Sequence, residues 1–268
     1  MRRTHVVKTI LLSLLISAIV FPFLCVTVPA FFSRWPIDSA IPLGFTLSGF
    51  GRFFERDLDT ATGSVLFSVI SSALTLIVCI PAVYGLGCMS KKGRRWIEPV
   101  FYLPMLMPVV SICIGGHKLL LSFFSTGWGA VLLMHVYFSL PYVFQVIYQA
   151  YMLLGRDTET AAKNLGAGPV RVFIRIHLPI YLPDYLLAYT VGFVISYSQY
   201  FVNFYFGNSD NINFSMIMTP LLASANRNTA SVYTLMYILF GSSVVAICSL
   251  IQHIIHKKTG SGASTIYG

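Results

Sequence analysis

Charge is what this sequence has least of. Only 10% of its 268 residues are Asp, Glu, Lys or Arg, against 56% hydrophobic and 15% aromatic. Soluble domains carry about 25% charged residues, so there is too little polar surface here to cover a water-soluble globule. What remains is a membrane protein. Acidic residues number only nine, and Glu98 and Asp184 stand at the ends of apolar runs rather than within them. An ion-coupled secondary transporter or channel, the main alternative, usually needs intramembrane carboxylates to carry protons or sodium. The sequence also has no G-x-x-x-x-G-K-[ST] phosphate loop, the usual signature of an ATP-hydrolysing chain. No cluster of His, Asp and Glu resembles an active site, which argues against a membrane enzyme, and neither cofactor nor metal is expected.

The five cysteines, Cys25, Cys79, Cys88, Cys113 and Cys248, lie in apolar runs at spacings that suit no metal site. There they behave as small hydrophobes. The net charge of +9 could suggest nucleic acid. The basic residues, however, form no patch interleaved with aromatics; they sit in short clusters between apolar runs, which is how topology is written in a bilayer.

Long apolar runs are what the sequence does have. Six stretches, about 9–31, 64–88, 99–120, 129–154, 185–207 and 231–255, approach or exceed the helical span of a bilayer, about 20 residues. None alternates with period two, as the ~10-residue strands of a barrel would. The expectation is an all-α membrane protein, a single domain over 1–268 with six transmembrane helices. Of the 18 Lys and Arg residues, 13 fall at the N-terminus, the second gap, the fourth gap and the C-terminus; only Arg34, Arg52, Arg56, Lys118 and Arg227 fall on the other side. The positive-inside rule then places both termini in the cytoplasm. The first run is longer than the 7–15 residues or so of a signal-peptide core, so it is expected to stay as a membrane helix.

Pro22, Pro81, Pro104, Pro108 and Pro141 interrupt these spans. They read either as kinks in packed helices or as a wall bent around a pathway. In the longest outer gap, "GFGRFFERDL" would place Phe50, Phe53, Phe54 and Leu58 on one face of a short interfacial helix. Polar residues inside spans are costly and tend to face a cavity or a partner. Lys118, near His117, either snorkels to the interface or faces a path. Gln145 and Gln149 share the fourth span with His135, which either bonds a neighbouring helix or lines a path. Ser196, Gln199 and Asn203, near Ser198, fall at i, i+3 and i+7 on one helical face. With His135 they are the candidate translocation path.

One polar gap, residues 155–183, is strictly ordered: "TAAKNLGAGPVRVFIRIHLP" begins at Thr160. Asp157, Thr158 and Glu159 favour a helix start. Gly166 stands where a left-handed cap would stop that helix, and Gly168–Pro169 starts another. The second helix would align Val170, Phe173, Ile174 and His177 on one stripe and Arg171 with Arg175 on another, ending at Leu178–Pro179. Ala161 and Ala162 lack bulk, so another protein could approach the first helix closely.

This segment resembles the cytoplasmic EAA loop of permease subunits in type I ATP-binding-cassette importers, the binding-protein-dependent transport systems. Ala161, Ala162, Gly166, Ile176, Leu178 and Pro179 match its pattern in register. Thr160 replaces the pattern's glutamate, and Glu159 stands one place earlier, a rotation of about 100° on a helix. "LPMLMPVV" and "HVYFSLPYV" extend the likeness, which is nearest in style to the branch serving polyamines, iron and phosphonates. The resemblance implies a type I importer permease fold in a bacterial inner membrane. The loop, including Glu159, Thr160, Ala161 and Ala162, would be the coupling element seated on a cytoplasmic ATPase. Its partners would be a second permease, identical or homologous, two ATPase subunits, an extracytoplasmic solute-binding protein and the lipid bilayer, with no nucleic acid.

Overall fold

The computed structural model describes residues 2–34, 42–124, 127–154, 157–207, 212–224 and 226–263. Arg156 and Asn211 therefore lie outside the described residues. Five described helices are long and apolar enough to cross a membrane: Lys8–Phe31, Leu58–Cys88, Gly127–Leu153, Pro169–Tyr197 and Arg227–Ile255. Two shorter helices, taken together, form either a broken span or a re-entrant loop. Lys91–Leu106 and Val109–Phe123 meet at a 96° bend where the third span, 99–120 with Pro104 and Pro108 inside it, was expected. The cause is local. Met107 precedes Pro108 and is pushed to an extended conformation, φ −105° and ψ 131°, because the proline ring disfavours helical geometry in the residue before it.

The chain divides into two compact units, with two of the three divisions falling inside continuous helices. The first unit comprises residues 1–62 and 214–240. It holds α1 (Arg2–Thr27), strands β1 (Phe32–Arg34) and β2 (Leu43–Phe45), and α2 (Ser48–Arg56). It also holds α12 (Phe214–Leu222), the start of α3 (Leu58–Cys88) and the first part of α13 (Arg227–Ala263). The strands pair antiparallel, Phe32 opposite Phe45. Helix α2 forms where the sequence placed an interfacial helix, but its inward face is narrower than expected. Phe53 is fully buried against Phe214, Tyr233 and Phe240, whereas Phe54 points outward. Leu58 is not on that helix, because Asp57 ends it with a backbone bond to Phe53 and α3 begins at once. The Tyr233 hydroxyl donates to Asp57. Asn228 Nδ2 donates to the carbonyls of Pro29 at 3.2 Å and Ala30 at 2.9 Å.

The second unit, residues 63–213 and 241–268, holds the rest of α3 and α13. Between them run α4 (Lys91–Ile97), α5 (Leu103–Leu106), α6 (Val109–Phe123), α7 (Gly127–Leu154), α8 (Asp157–Asn164), α9 (Pro169–Val172), α10 (Leu178–Tyr197) and α11 (Tyr200–Phe206). Its core joins Cys79 and Val83 of α3, Val143, Phe144, Ile147 and Tyr151 of α7, and Tyr181, Tyr185 and Ala188 of α10. The bend before α6 leans on α7: Phe101 stacks on Phe144 at 4.2 Å, and the Tyr148 hydroxyl donates to Glu98 at 2.7 Å.

Small residues let these helices approach closely. Lipid is as apolar as a side chain, so helices in a membrane associate through close packing and interhelical hydrogen bonds rather than through the hydrophobic effect. Ser64, Ser68, Ser71, Ser72 and Thr75 of α3 are buried, and Ala188, Gly192 and Ser196 repeat every fourth residue along α10. The Ser68 and Thr75 hydroxyls donate to carbonyls four residues back, which satisfies them inside their own helix. Ser72 Oγ instead donates to the Tyr189 carbonyl at 2.6 Å and ties α3 to α10.

Candidate functional site

Helix α8 ends as its sequence demands. Gly166 has φ +83°, its N–H donates to the Lys163 carbonyl, and the Ala167 N–H reaches back to Ala162. Those two bonds are a Schellman cap, with glycine in the left-handed position it takes without a Cβ clash. No heavy atom outside the local backbone would lie within 4 Å of a Cβ added there, so conformation, not space, sets the preference for glycine.

Beyond Gly166 the chain departs from expectation. Leu178–Pro179 does not end the second short helix: α9, a π turn at Phe173–His177, and α10 form one continuous helix to Tyr197. A proline within a helix removes a donor and presses its ring on the carbonyl four residues back. The π turn relieves this: the Leu178 N–H bonds to Phe173, five residues back, and the widened turn carries nearby carbonyls away from the ring. The extra residue also breaks the expected stripe. Val172 and His177 are buried and Phe173 half-buried, while Val170 and Ile174 are exposed on the same side as Arg171 and Arg175.

Glu159 and His177 come together across this turn. His177 Nδ1 lies 2.8 Å from Glu159 Oε1, and the two residues are 1% and 3% exposed. The Tyr151 hydroxyl donates to Glu159 Oε2 at 3.5 Å, which brings in α7. Aromatic rings enclose the imidazole, with centroids at 4.6 Å for Tyr181, 5.1 Å for Tyr84, 5.3 Å for Phe173 and 5.5 Å for Tyr151. Lys163 Nζ sits 5.6 Å above the Tyr84 ring, a cation–π contact on the same assembly. Thr160 and Ala161 point outward, Ala162 and Ile176 are half-buried, and Leu178 and Pro179 are exposed. The loop thus presents two faces: Glu159 and His177 inward, and Ala161, Leu165, Val170, Ile174 and the two arginines outward.

The second set of candidate residues is also partly assembled. His135 is fully buried with Nδ1 2.7 Å from Ser196 Oγ, and the Phe67 ring stands edge-on to it at 5.0 Å. Asn203 is buried and its side chain donates to the Gln199 carbonyl. Ser196, Gln199 and Asn203 do not share one helical face, because α10 stops at Tyr197 and α11 starts at Tyr200, with Gln199 extended between them. Sequence reasoning missed two features: the pairing of Glu159 with His177 and the buried serine face of α3. The serines did leave a signal, a recurrence of hydroxyls at helical spacing in an apolar run.

Comparison with known proteins fits this geometry. A Salmonella typhi protein provisionally named a 2-aminoethylphosphonate transport system permease is 27% identical over 157 residues, 55% of this chain and 57% of that protein. A spermidine/putrescine transport system permease of Haemophilus influenzae is 29% identical over 138 residues, 48% of this chain and 51% of its own. A homologue of that permease in Mycoplasma pneumoniae is 31% identical over 118 residues, 41% of each chain. The chain spans about half the length of these curated relatives. The family description that matches, "Binding-protein-dependent transport system inner membrane component", extends over residues 84–261. That stretch includes α7, both faces of the Gly166 loop and the whole of the continuous helix beyond it, and on this ground the chain belongs to that family of inner membrane transport components.

Proposed function

We propose that this chain is the transmembrane permease subunit of an ATP-binding-cassette importer, one permease domain that forms a solute path and takes its power from separate ATPase subunits. The observation that carries the reading is the outward face of the Gly166 loop. A short, sharply capped helix offers Ala161 without bulk, and Val170 and Ile174 stand exposed next to Arg171 and Arg175. Exposed apolar side chains flanked by cations at the end of a membrane bundle suit a protein partner better than water. That partner is assigned as the ATPase, in keeping with the match of this stretch to the binding-protein-dependent transport family. The remaining partners are a second permease, identical or homologous, and a solute-binding protein on the outer side.

The relatives' names guide the cargo: a small polar solute of the polyamine or aminophosphonate kind. His135, Ser196, Gln199 and Asn203 are assigned to the path, and the burial of three of them means that solute meets them only when the helices part. Asn203→Leu should then lower uptake of labelled spermidine or 2-aminoethylphosphonate while the complex still assembles. For the reading as a whole, the experiment is Ala161→Trp. It should reach the membrane at wild-type levels and lose co-purifying ATPase; full retention of the ATPase by this variant would remove the loop from the interface.

A further inference from the structure

The outward face of the loop explains docking, but not how a pull on α8 reaches the membrane. Two routes connect α8 to the Pro169–Tyr197 helix. One is the chain itself through Leu165–Gly168. That turn packs against little: Leu165 is 89% exposed and no heavy atom outside the local backbone lies within 4 Å of a would-be Cβ on Gly166. The other is the buried bond between Glu159 and His177.

We propose that Glu159 and His177 form a standing clasp that makes α8 and the Pro169–Tyr197 helix one lever. Force taken up by α8 then passes to the membrane-spanning part of α10 through this bond rather than through the Gly166 turn. The proposal rests on the importer reading above.

Three features support it. The bond is short at 2.8 Å and buried at both ends, where a hydrogen bond to a carboxylate is strong. The imidazole cannot swing away, since Tyr84 of α3, Tyr151 of α7 and Tyr181 of α10 close around it. Helix α8 also has two further anchors on the same assembly, Tyr151 on Glu159 and Lys163 over Tyr84, so it is held along its length. Glu159, one place before the family's glutamate position, is turned inward and takes no part in the outward face. Both residues are therefore positioning residues, acting on the coupling geometry from inside the chain.

The test is a double-mutant cycle on the full complex purified with its ATPase subunits: wild type, Glu159→Ala, His177→Ala and the double variant. Each single change should lower ATP turnover about tenfold, the usual size of a coupling between sites, and the double variant should be no worse than either single. The ATPase should stay attached in all four. Effects that multiply in the double variant, or wild-type turnover in either single, would overturn the proposal. If the singles fail to assemble, the exchange Glu159→His with His177→Glu decides: restored assembly and turnover support the clasp, and no restoration sinks it. The same four proteins are also unfolded thermally in detergent without ATPase, which reads the bond alone. Coupling there but not in ATP turnover means that the bond does not transmit, and the proposal falls while docking stands. Unchanged ATPase association in Ala161→Trp would instead remove the docking reading and leave the bond measured.

Discussion

Gly192 and Ser72 set the distance between α10 and α3. A Cβ built on Gly192 would lie 2.9 Å from Ser72 Oγ and 2.8 Å from Val143 Cγ2, so three helices converge on a single missing side chain. The Ser72 hydroxyl is fixed by its bond to the Tyr189 carbonyl and Val143 is fully buried, so neither neighbour can yield freely.

Gly192→Ala should therefore destabilise the bundle by about 1–3 kcal/mol, the usual cost of overpacking, and Gly192→Val by more. Thermal unfolding in detergent measures this. A Gly192→Ala protein as stable as wild type would show that α3, α7 and α10 are not in close contact at this point.

Gly166 is sensitive for a different reason. Space there is open, so only the φ of +83° resists a side chain. Gly166→Ala should cost about 1 kcal/mol, and Gly166→Asn less, because asparagine tolerates the left-handed region. Gly166→Val should reach the membrane normally yet retain little ATPase, since the strained cap would tilt α8 against α9. Equal ATPase retention by the Asn and Val variants would contradict a role for this backbone conformation.

Asn228 holds two carbonyls, those of Pro29 and Ala30, with one amide group. Asn228→Leu removes both bonds at a buried site and should cost about 1–3 kcal/mol. Asn228→Asp should cost more, since it turns carboxylate oxygens toward carbonyl oxygens. Limited proteolysis of membranes provides the readout, with faster cleavage near residues 28–31 expected in the order Asp, Leu, wild type.

Topology is open to a direct check. A reporter fused after Lys92 or Lys258 should read cytoplasmic and one after Asp57 external, from the 13-to-5 distribution of basic residues. An external reading at Lys92 would overturn the orientation.

Local signals and tertiary ones differ in how well the sequence reveals them. The left-handed glycine was legible because a helix cap is decided within a few residues: Gly166, the alanines before it and Pro169 after it. The apolar runs were legible because bilayer thickness fixes their length. The bend at Met107–Pro108 was announced only as a pair of prolines, whose effect depends on what packs alongside, here Phe144 against Phe101. Glu159 and His177 lie 18 residues apart on either side of a turn, and no periodicity links them. The expected face of Ser196, Gln199 and Asn203 assumed a continuous helix, and the break at Ser198–Gln199 removes that assumption.

The π turn has a consequence for chain length. Apart from Phe193 and Tyr197, the buried positions along the continuous helix run Val172, His177, Tyr181, Tyr185, Ala188, Gly192 and Ser196, with steps of three or four except the first, which is five. In an unbroken α-helix five residues would place Val172 and His177 about 140° apart around the axis; the additional residue stored at Phe173–His177 brings them back onto one side. Removing one residue from that turn would leave Val172 and His177 four positions apart, about 40° around an unbroken α-helix, so α9 and the Gly166 loop would keep their facing. The turn therefore absorbs one surplus residue without changing which way the loop faces. One further residue inserted there, with nothing to absorb it, would re-phase the loop by about 100° relative to the spanning helix.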